Sequence, residues 1–282
     1  MMRLFSSLWM LRDVWRFDTV IANRDINPER WTLFLERIIV KAGVRLVFDF
    51  DDAIYLGGRD QKLQKIMHWC YAVTPGNPTL EKYAVQYSNN VIIVPTVIDT
   101  EYYKPVQVRA QGKLRIGWSG SASTNKYCLP LVKDVIEKLS KEVDFDFIVI
   151  SNEDPKLQWS GVQSTFIKWD EESEVEQLQY LDIGLMPLRD NEFEKGKCGL
   201  KAIQYMGVGI PIVVSKVGVN ADIVKHGVSG FHCTTEEDWI NTLKSLANDE
   251  GLRKRIGSAG RQNVEELYSI HFAIKKWEQI LM

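Results

Sequence analysis

An excess of charge of either sign is missing from this chain: 35 Lys and Arg stand against 37 Asp and Glu in 282 residues, a formal net charge of -2. That argues against a nucleic-acid binder held by bulk charge, and only a local basic patch stays compatible with it. Cysteine is scarce. Cys70, Cys128, Cys198 and Cys233 have no metal-site spacing among them and no secretory signal ahead of them, so free thiols in a reducing cytoplasm are expected. The four histidines, His68, His226, His232 and His271, are scattered, and no pair has metal spacing on one helix. No run of about 18 apolar residues occurs, which excludes a membrane span of that kind. There is no Gly-x-Gly-x-x-Gly after a strand, no Gly-x-Ser-x-Gly and no Walker ending. These absences argue against a dinucleotide oxidoreductase, a serine hydrolase of the elbow type and a P-loop nucleotidase.

What is present is ordinary for a globular chain: 45% apolar and 26% charged residues, with a length that suggests two domains. The opening MMRLFSSLWMLRDVWRF reads as an aromatic-rich amphipathic helix and not a signal peptide, because Arg12, Asp13 and Arg16 interrupt it. Two readings stay open for it, packing on a sheet or a peripheral contact at the inner face of a membrane. Beyond it, strand and helix patterns alternate. Strands are predicted at 18–24, 45–50, 71–76 and 91–95, with helices near 29–41 and 60–69 and from Pro78 to Tyr87. Asn77 is the expected N-cap of the last, with Pro78 at its first position. An irregular stretch, 96–113, reads as a linker. A second alternation follows, with strands at 114–120, 145–150, 162–169, 182–188, 210–215 and 230–233. Helices are predicted near 127–140, 171–180, 198–208 and 219–225. Three more close the chain near 235–248, 250–267 and 270–281. The fold class is therefore α/β, two Rossmann-like doubly wound parallel-sheet domains. The expected division is 1–105, 106–269 and a final helix, 270–282, crossing back to the first domain.

In such sheets ligands bind beyond the carboxyl ends of the strands. Three loops there carry chemistry. The first, LRDNEFEKGKCG (188–199), leads into the helix GLKAIQYM; its glycines, Lys197, Lys201 and the open helix start suit a phosphate. The bland alternative is a solvated basic turn. The second, SGSASTNK (119–126), offers Gly120, Ser121 and Lys126 before a helix, and is otherwise a well-capped loop. The third, FDFDDAIY (48–55), places Asp49, Asp51 and Asp52 at the end of a buried strand, as a general base, metal ligands, or a hydrogen-bonded turn.

The segment KCGLKAIQYMGVGIPIVVSKVGVNADIVKHGVSGF (197–231) resembles the donor-binding motif of the retaining, family 4 ("group 1") glycosyltransferases of the GT-B class. VFDFDDAIY, GNPTLEKYA, VPTVIDTEYY, IGWSGSASTNKY and LRKRIGSAGRQNVEELYS are similar to further blocks of that family, in its order, from about residue 18 to the end. The resemblance implies that the amides of Gly199 and Leu200 face a donor diphosphate. A ribose-holding glutamate of the family falls on Gln204. Its partner falls on Gly196, with Glu194 or Glu192 as the available carboxylate. The family's Arg and Lys of the second loop fall on Ser121 and Lys126, with Lys197 and Lys201 making up the missing charge. The base would lie at Lys168, with Trp169 as a stacking surface.

The resemblance also implies an N-terminal domain shorter than usual by about 50–100 residues. It puts Asp51 or Asp52 against the transferred sugar or the acceptor hydroxyl. Catalytic roles fall to Asp51, Asp52, Lys126 and Lys201, with no metal and no cofactor beyond a UDP- or GDP-sugar co-substrate. Lysines and amides would stabilise the leaving diphosphate more in the transition state than before it. The implied acceptor is a glycan or lipid-linked hydroxyl, in surface polysaccharide or glycolipid synthesis, with no nucleic acid involved. Two alternatives stay open: a nucleotide-sugar epimerase or phosphorylase on a similar frame, and a relative that binds nucleotide or a partner without turnover.

Overall fold

A computed structural model describes residues 12–24, 33–58, 60–106 and 112–282. It divides into two compact units. Unit 1 holds residues 1–96, Lys195–Cys198 and Ala273–Met282, and unit 2 holds Val97–Glu194 and Gly199–Phe272. Apart from residues 12–17, where Val14–Arg16 make one 3-10 turn, the expected opening helix lies outside the described residues.

Unit 1 is a parallel sheet of β1 (Thr19–Asn23), β2 (Arg45–Phe50) and β3 (Ala72–Pro75), in that order. The run RLVFDF forms β2 because a central strand is covered on both faces; Phe48 and Phe50 are fully buried against Leu63, Ile66 and Leu80. Around it lie α1 (Phe34–Lys41), α2 (Asp60–Trp69) and α3 (Pro78–Ala84). Asn77 caps α3 as expected, its Oδ1 accepting from Leu80 N at 2.9 Å. The expected strand 91–95 does not form beyond one bridge, Val73 to Val91. Val73 N donates to Asn90 O and Ile92 N to Val73 O, but the next bond in that parallel pattern needs an N–H at Pro75, which proline lacks.

Unit 2 is a six-stranded parallel sheet: β4 (Leu114–Ser119), β5 (Phe145–Ser151), β6 (Ser164–Lys168), β7 (Ile183–Met186), β8 (Ile212–Ser215) and β9 (Phe231–Cys233). Their order across the sheet is β6-β5-β4-β7-β8-β9, so the strand order reverses between β4 and β7. Such a switch point is where doubly wound sheets bind ligands. Helices α4 (Ala122–Cys128), α5 (Lys133–Leu139), α6 (Glu174–Gln179), α7 (Glu192–Lys195), α8 (Leu200–Gly207), α9 (Asn220–Ile223), α10 (Glu236–Asn248) and α11 (Glu250–Leu267) follow, and α12 (Ile270–Leu281) ends the chain. The single helix expected near 127–140 is instead α4, a 3-10 turn at Leu129–Leu131 and α5, because Pro130 cannot donate within a continuous helix.

One stretch groups differently from the expected boundaries. Residues 97–105, read as the end of the first domain and start of a linker, belong to unit 2. Ile98 bridges Ser269, and the Arg261 guanidinium donates to Thr100 O and Gly207 O at 2.8 Å each and to Tyr103 O. Its rigid fork gathers three carbonyls that no local pattern relates. Within α12, Ala273–Met282 belong to unit 1, where Ile280 packs with Val47, Ala72 and Val94.

Candidate active site

In unit 2 the carboxyl end of β6 and the first turn of α8 meet on one carboxylate, Glu174, at the start of α6. Trp169 Nε1 donates to Glu174 Oε1 at 2.9 Å, Gln204 Nε2 donates to Oε2 at 3.0 Å, and the Tyr103 hydroxyl donates to the same oxygen. Gln204 Nε2 also reaches the Tyr103 hydroxyl at 2.9 Å. Lys201 Nζ lies 3.8 Å from Glu174 Oε1 and donates to Gln204 Oε1 at 3.2 Å. Burial pushes the Lys201 pKa down, and the Glu174 charge opposes that shift. Burial also raises the Tyr103 phenol, with the hydrogen bond to Glu174 next in weight. The carboxylate's hydrogen bonds come from neutral donors, so its pairing with Lys201 stays loose. An ammonium has three hydrogens, and Gln204 takes one of them.

Gln204 itself is buried at 3% exposure. A glutamate there would set two carboxylates side by side in a poorly solvated cluster. The amide instead donates to Glu174 and accepts from Lys201.

The start of α8 completes this site. Gly199 sits in the left-handed region, φ +71°, and a Cβ there would come 2.3 Å from Ile223 Cδ1. With glycine as N-cap, no side chain caps the helix, and the first-turn amides beside Lys201 are open to an anion. Leu200 is 43% exposed.

The second loop is arranged differently. Ser121 caps α4 through Thr124 N, and its hydroxyl lies 2.8 Å from that of Ser123; Ala122 N donates to Asn152 Oδ1 at 2.8 Å. The turn after Gly120 is thus satisfied internally. Lys126 is exposed and lines a groove of about 350 Å³ with Lys133, Glu153 and Trp159, none of which belongs to the Glu174 cluster. Lys168 ends β6 with its carbonyl accepting from Gln177 Nε2. Glu194 is buried on α7, 3.7 Å from Arg189 Nη2. Of the residues expected from sequence, the structure therefore brings Trp169, Lys201 and Gln204 together and places Lys126 elsewhere. Glu174 and Tyr103 were missed. The acidic run 170–176 after β6 was a signal for the first; nothing marked the second.

In unit 1, Asp51 and Asp52 share one guanidinium that sequence reasoning also missed. Arg24 Nε donates to Asp51 Oδ1 at 2.9 Å and Arg24 Nη2 to Asp52 Oδ2 at 2.8 Å. Arg24 adopts φ 62°, a left-handed conformation uncommon outside glycine, at the end of β1. Burial raises the Asp52 pKa, with the Asp51 charge second, while Arg24 and Lys197 oppose the rise. Asp49 is occupied by Thr74 and Asn23 at 2.8 and 2.7 Å. Among the described residues no three His, Cys, Asp or Glu side chains are placed to hold a metal ion.

The segment Lys195–Cys198 packs on that aspartate loop. Asn77 Nδ2 donates to Gly196 O and Lys197 O, each at 3.0 Å, and the Cys198 thiol donates to Asp51 O at 3.0 Å. A Cβ on Gly196 would lie 2.5 Å from Ala53 Cβ and 3.1 Å from Ala53 N, so this approach requires glycine. Burial pushes the Cys198 thiol up to about 12. Iodoacetamide at pH 7.5 is expected to leave Cys198 unmodified in the native protein and to label it after urea, read by peptide mass spectrometry; rapid native labelling would refute its packing.

Residues 113–249 match the family model described as glycosyl transferases group 1. Over those residues the chain is similar to group 1 glycosyl transferases. It is similar over 89 residues, at 26% identity, to N-acetyl-alpha-D-glucosaminyl L-malate synthase of Bacillus anthracis, covering 31% of this chain and 23% of that protein. Sulfoquinovosyl transferase SQD2 of Arabidopsis thaliana is 28% identical over 146 residues, 49% of this chain and 28% of the relative. The chain thus spans about a quarter of the length of these curated relatives. Among solved structures, Anabaena Alr3699/HepE in complex with UDP and glucose has a TM-score of 0.75 at 13% identity, over 98% of this chain and 80% of that one. Sucrose-phosphate synthase (tll1590) from Thermosynechococcus elongatus has 0.73 at 14% identity, over 98% and 76%. At such identities the likeness concerns the fold, and the expected parallel α/β architecture of the GT-B type holds. The matched segment contains Glu174, Gly199, Lys201 and Gln204, while Tyr103 lies just before it. No helix of the described residues is long and apolar enough to cross a membrane.

Proposed function

We propose that the protein is a glycosyltransferase that moves a sugar from a nucleotide-diphosphate sugar to an acceptor hydroxyl. The observation that carries this reading is the ammonium of Lys201, held by Gln204 beside the uncapped first turn of α8 at the ligand-binding end of the unit 2 sheet. An ammonium and helix amides together neutralise a diphosphate as the glycosidic bond breaks, and they serve more as its charge grows. Trp169, fixed through its indole N–H, offers a surface for the base, and Gln204 with Glu174 offers polar groups for the ribose. Lys168, at the end of β6, supplies further positive charge. In unit 1, Asp52, whose proton affinity is raised, contacts the acceptor hydroxyl or transferred sugar, with Asp51 and Arg24 orienting it.

Transfer with retention, without a metal, to a glycan or lipid-linked acceptor in surface polysaccharide synthesis is the finer form of this reading. A UDP complex of the fold neighbour HepE supports UDP as the first donor nucleotide to try. Thermal shift with UDP, GDP and their sugars, followed by acceptor-dependent release of the nucleoside diphosphate, tests it. A panel giving no shift with any diphosphate would end the proposal. Conversion of donor without acceptor would point to the epimerase or phosphorylase reading instead.

A further inference from the structure

A groove in unit 1, about 630 Å³, lies away from the aspartate loop. It opens where α2 runs into β3 and where the chain leaves α3, at the amino end of β3. Asp49–Asp52 lie at the carboxyl end of parallel β2, so the length of a four-residue strand, about 13 Å, separates the two. Its lining contains no carboxylate. Aromatic walls come from Trp69, Tyr71 and Tyr87, and Lys65, His68 and Asn89 stand among them.

Two of those walls are held rigidly. The Arg45 guanidinium covers one face of Tyr71, with Cζ 5.1 Å from the ring centroid, and Tyr71 is 44% exposed. Tyr87 leans on Tyr83 at 5.2 Å, and Tyr83 stacks on Tyr55 at 3.9 Å. By contrast, the side chains of Lys65, His68 and Asn89 have no hydrogen-bond or ion-pair partner among the described residues. Fixed aromatic faces with unengaged amide, imidazole and ammonium groups are the chemistry that receives a sugar ring. Its C–H face lies on the aromatic ring while its hydroxyls meet the planar amide. The absence of any lining carboxylate, with a lysine present, favours a ring that bears an acidic group.

We propose that this groove is a second carbohydrate site, taking an acidic sugar unit of a glycan at a place remote from the reacting hydroxyl. The choice of a glycan rests on the glycosyl-transfer reading, whereas the groove's geometry does not. A site so placed would hold a growing chain several units from its end, so that longer acceptors bind more tightly than their terminal units.

The test uses the full chain and titration calorimetry with an oligogalacturonate hexamer and, for comparison, maltoheptaose. Saturable binding of the acidic hexamer, weakened tenfold or more by Tyr71→Ala and again by Asn89→Ala, is expected, with maltoheptaose weaker. Asn89 is exposed and unpartnered, so its variant keeps the fold when Tyr71→Ala does not. UDP binding should survive both substitutions, while Lys201→Ala should lose UDP and keep the hexamer; the two sites therefore fail separately. No binding of the hexamer, or binding indifferent to both groove variants, overturns the proposal. Equal affinity for maltoheptaose overturns the part assigned to an acidic group.

Discussion

Replacing Lys201 by Ala should abolish the rise in melting temperature that UDP gives the wild-type protein, with affinity lower by roughly 10- to 100-fold. A hydrogen bond to a charged group contributes about 1.5–3 kcal/mol, and each 1.4 kcal/mol is tenfold in affinity. The effect belongs at the upper end because the ammonium is poorly solvated and pre-oriented by Gln204 at 3.2 Å. Lys201→Met keeps most of the volume and separates lost charge from lost packing. Unchanged UDP binding in both variants would remove Lys201 from the site.

The same residue has a pH signature. Burial lowers its pKa from the usual 10.5, so the unfolded chain binds more protons in the window between the lowered value and 10.5. Where the unfolded state holds more protons, stability rises with pH. Wild type should therefore gain stability relative to Lys201→Met as pH rises through that window. UDP affinity should fall over the same range, because the ammonium loses its charge. Urea denaturation of both proteins at several alkaline pH values reads the first trend, and UDP titration the second. A wild type that instead loses stability relative to the Met variant would show that Lys201 is not held in a desolvating environment.

Asn77→Ala should destabilise unit 1 by about 2–4 kcal/mol and free the Lys195–Cys198 segment. Loss of the helix cap costs about 1 kcal/mol. The buried Gly196 carbonyl and the half-buried Lys197 carbonyl then lose their donor, at about 1–3 kcal/mol for unsatisfied groups. Asn77 is 1% exposed, so water does not readily replace the amide. Asn77→Ser divides the two effects, since a serine caps α3 but cannot reach both carbonyls. Hydrogen exchange should accelerate over α3 and over 195–198 in the Ala variant, and over 195–198 alone in the Ser variant. Protection of 195–198 unchanged in both would show that the amide is not what holds this segment.

The role of Asn77 illustrates which features were legible beforehand. Its cap on α3 was evident from Asn-Pro ahead of a helical run, because a cap bonds three residues away. Its hold on a segment about 120 residues distant was not, since no spacing rule relates the two. The strand at 91–95 failed for a similar reason. Its own residues suit a ladder, but the proline that leaves one bond of it unmade belongs to β3, where Val94 N still donates to Pro75 O. In the candidate site, Lys201 and Gln204 share a helix turn and a motif, so sequence placed them together. Glu174 joins them only through side chains that converge from α6, α8, the end of β6 and residue 103.

The chain's own pattern was sufficient for its parallel α/β class, for most of its elements and for the group 1 motif. Periodicity, caps and glycine placement act within a few residues. Tertiary structure alone decided that Arg24 clamps both aspartates, that residues 97–105 lie on unit 2, and that Glu174 and not Lys126 stands beside Lys201. Those outcomes depend on hydrogen bonds and charges acting over a few ångströms between residues far apart in the chain, and proximity of that kind is created by folding.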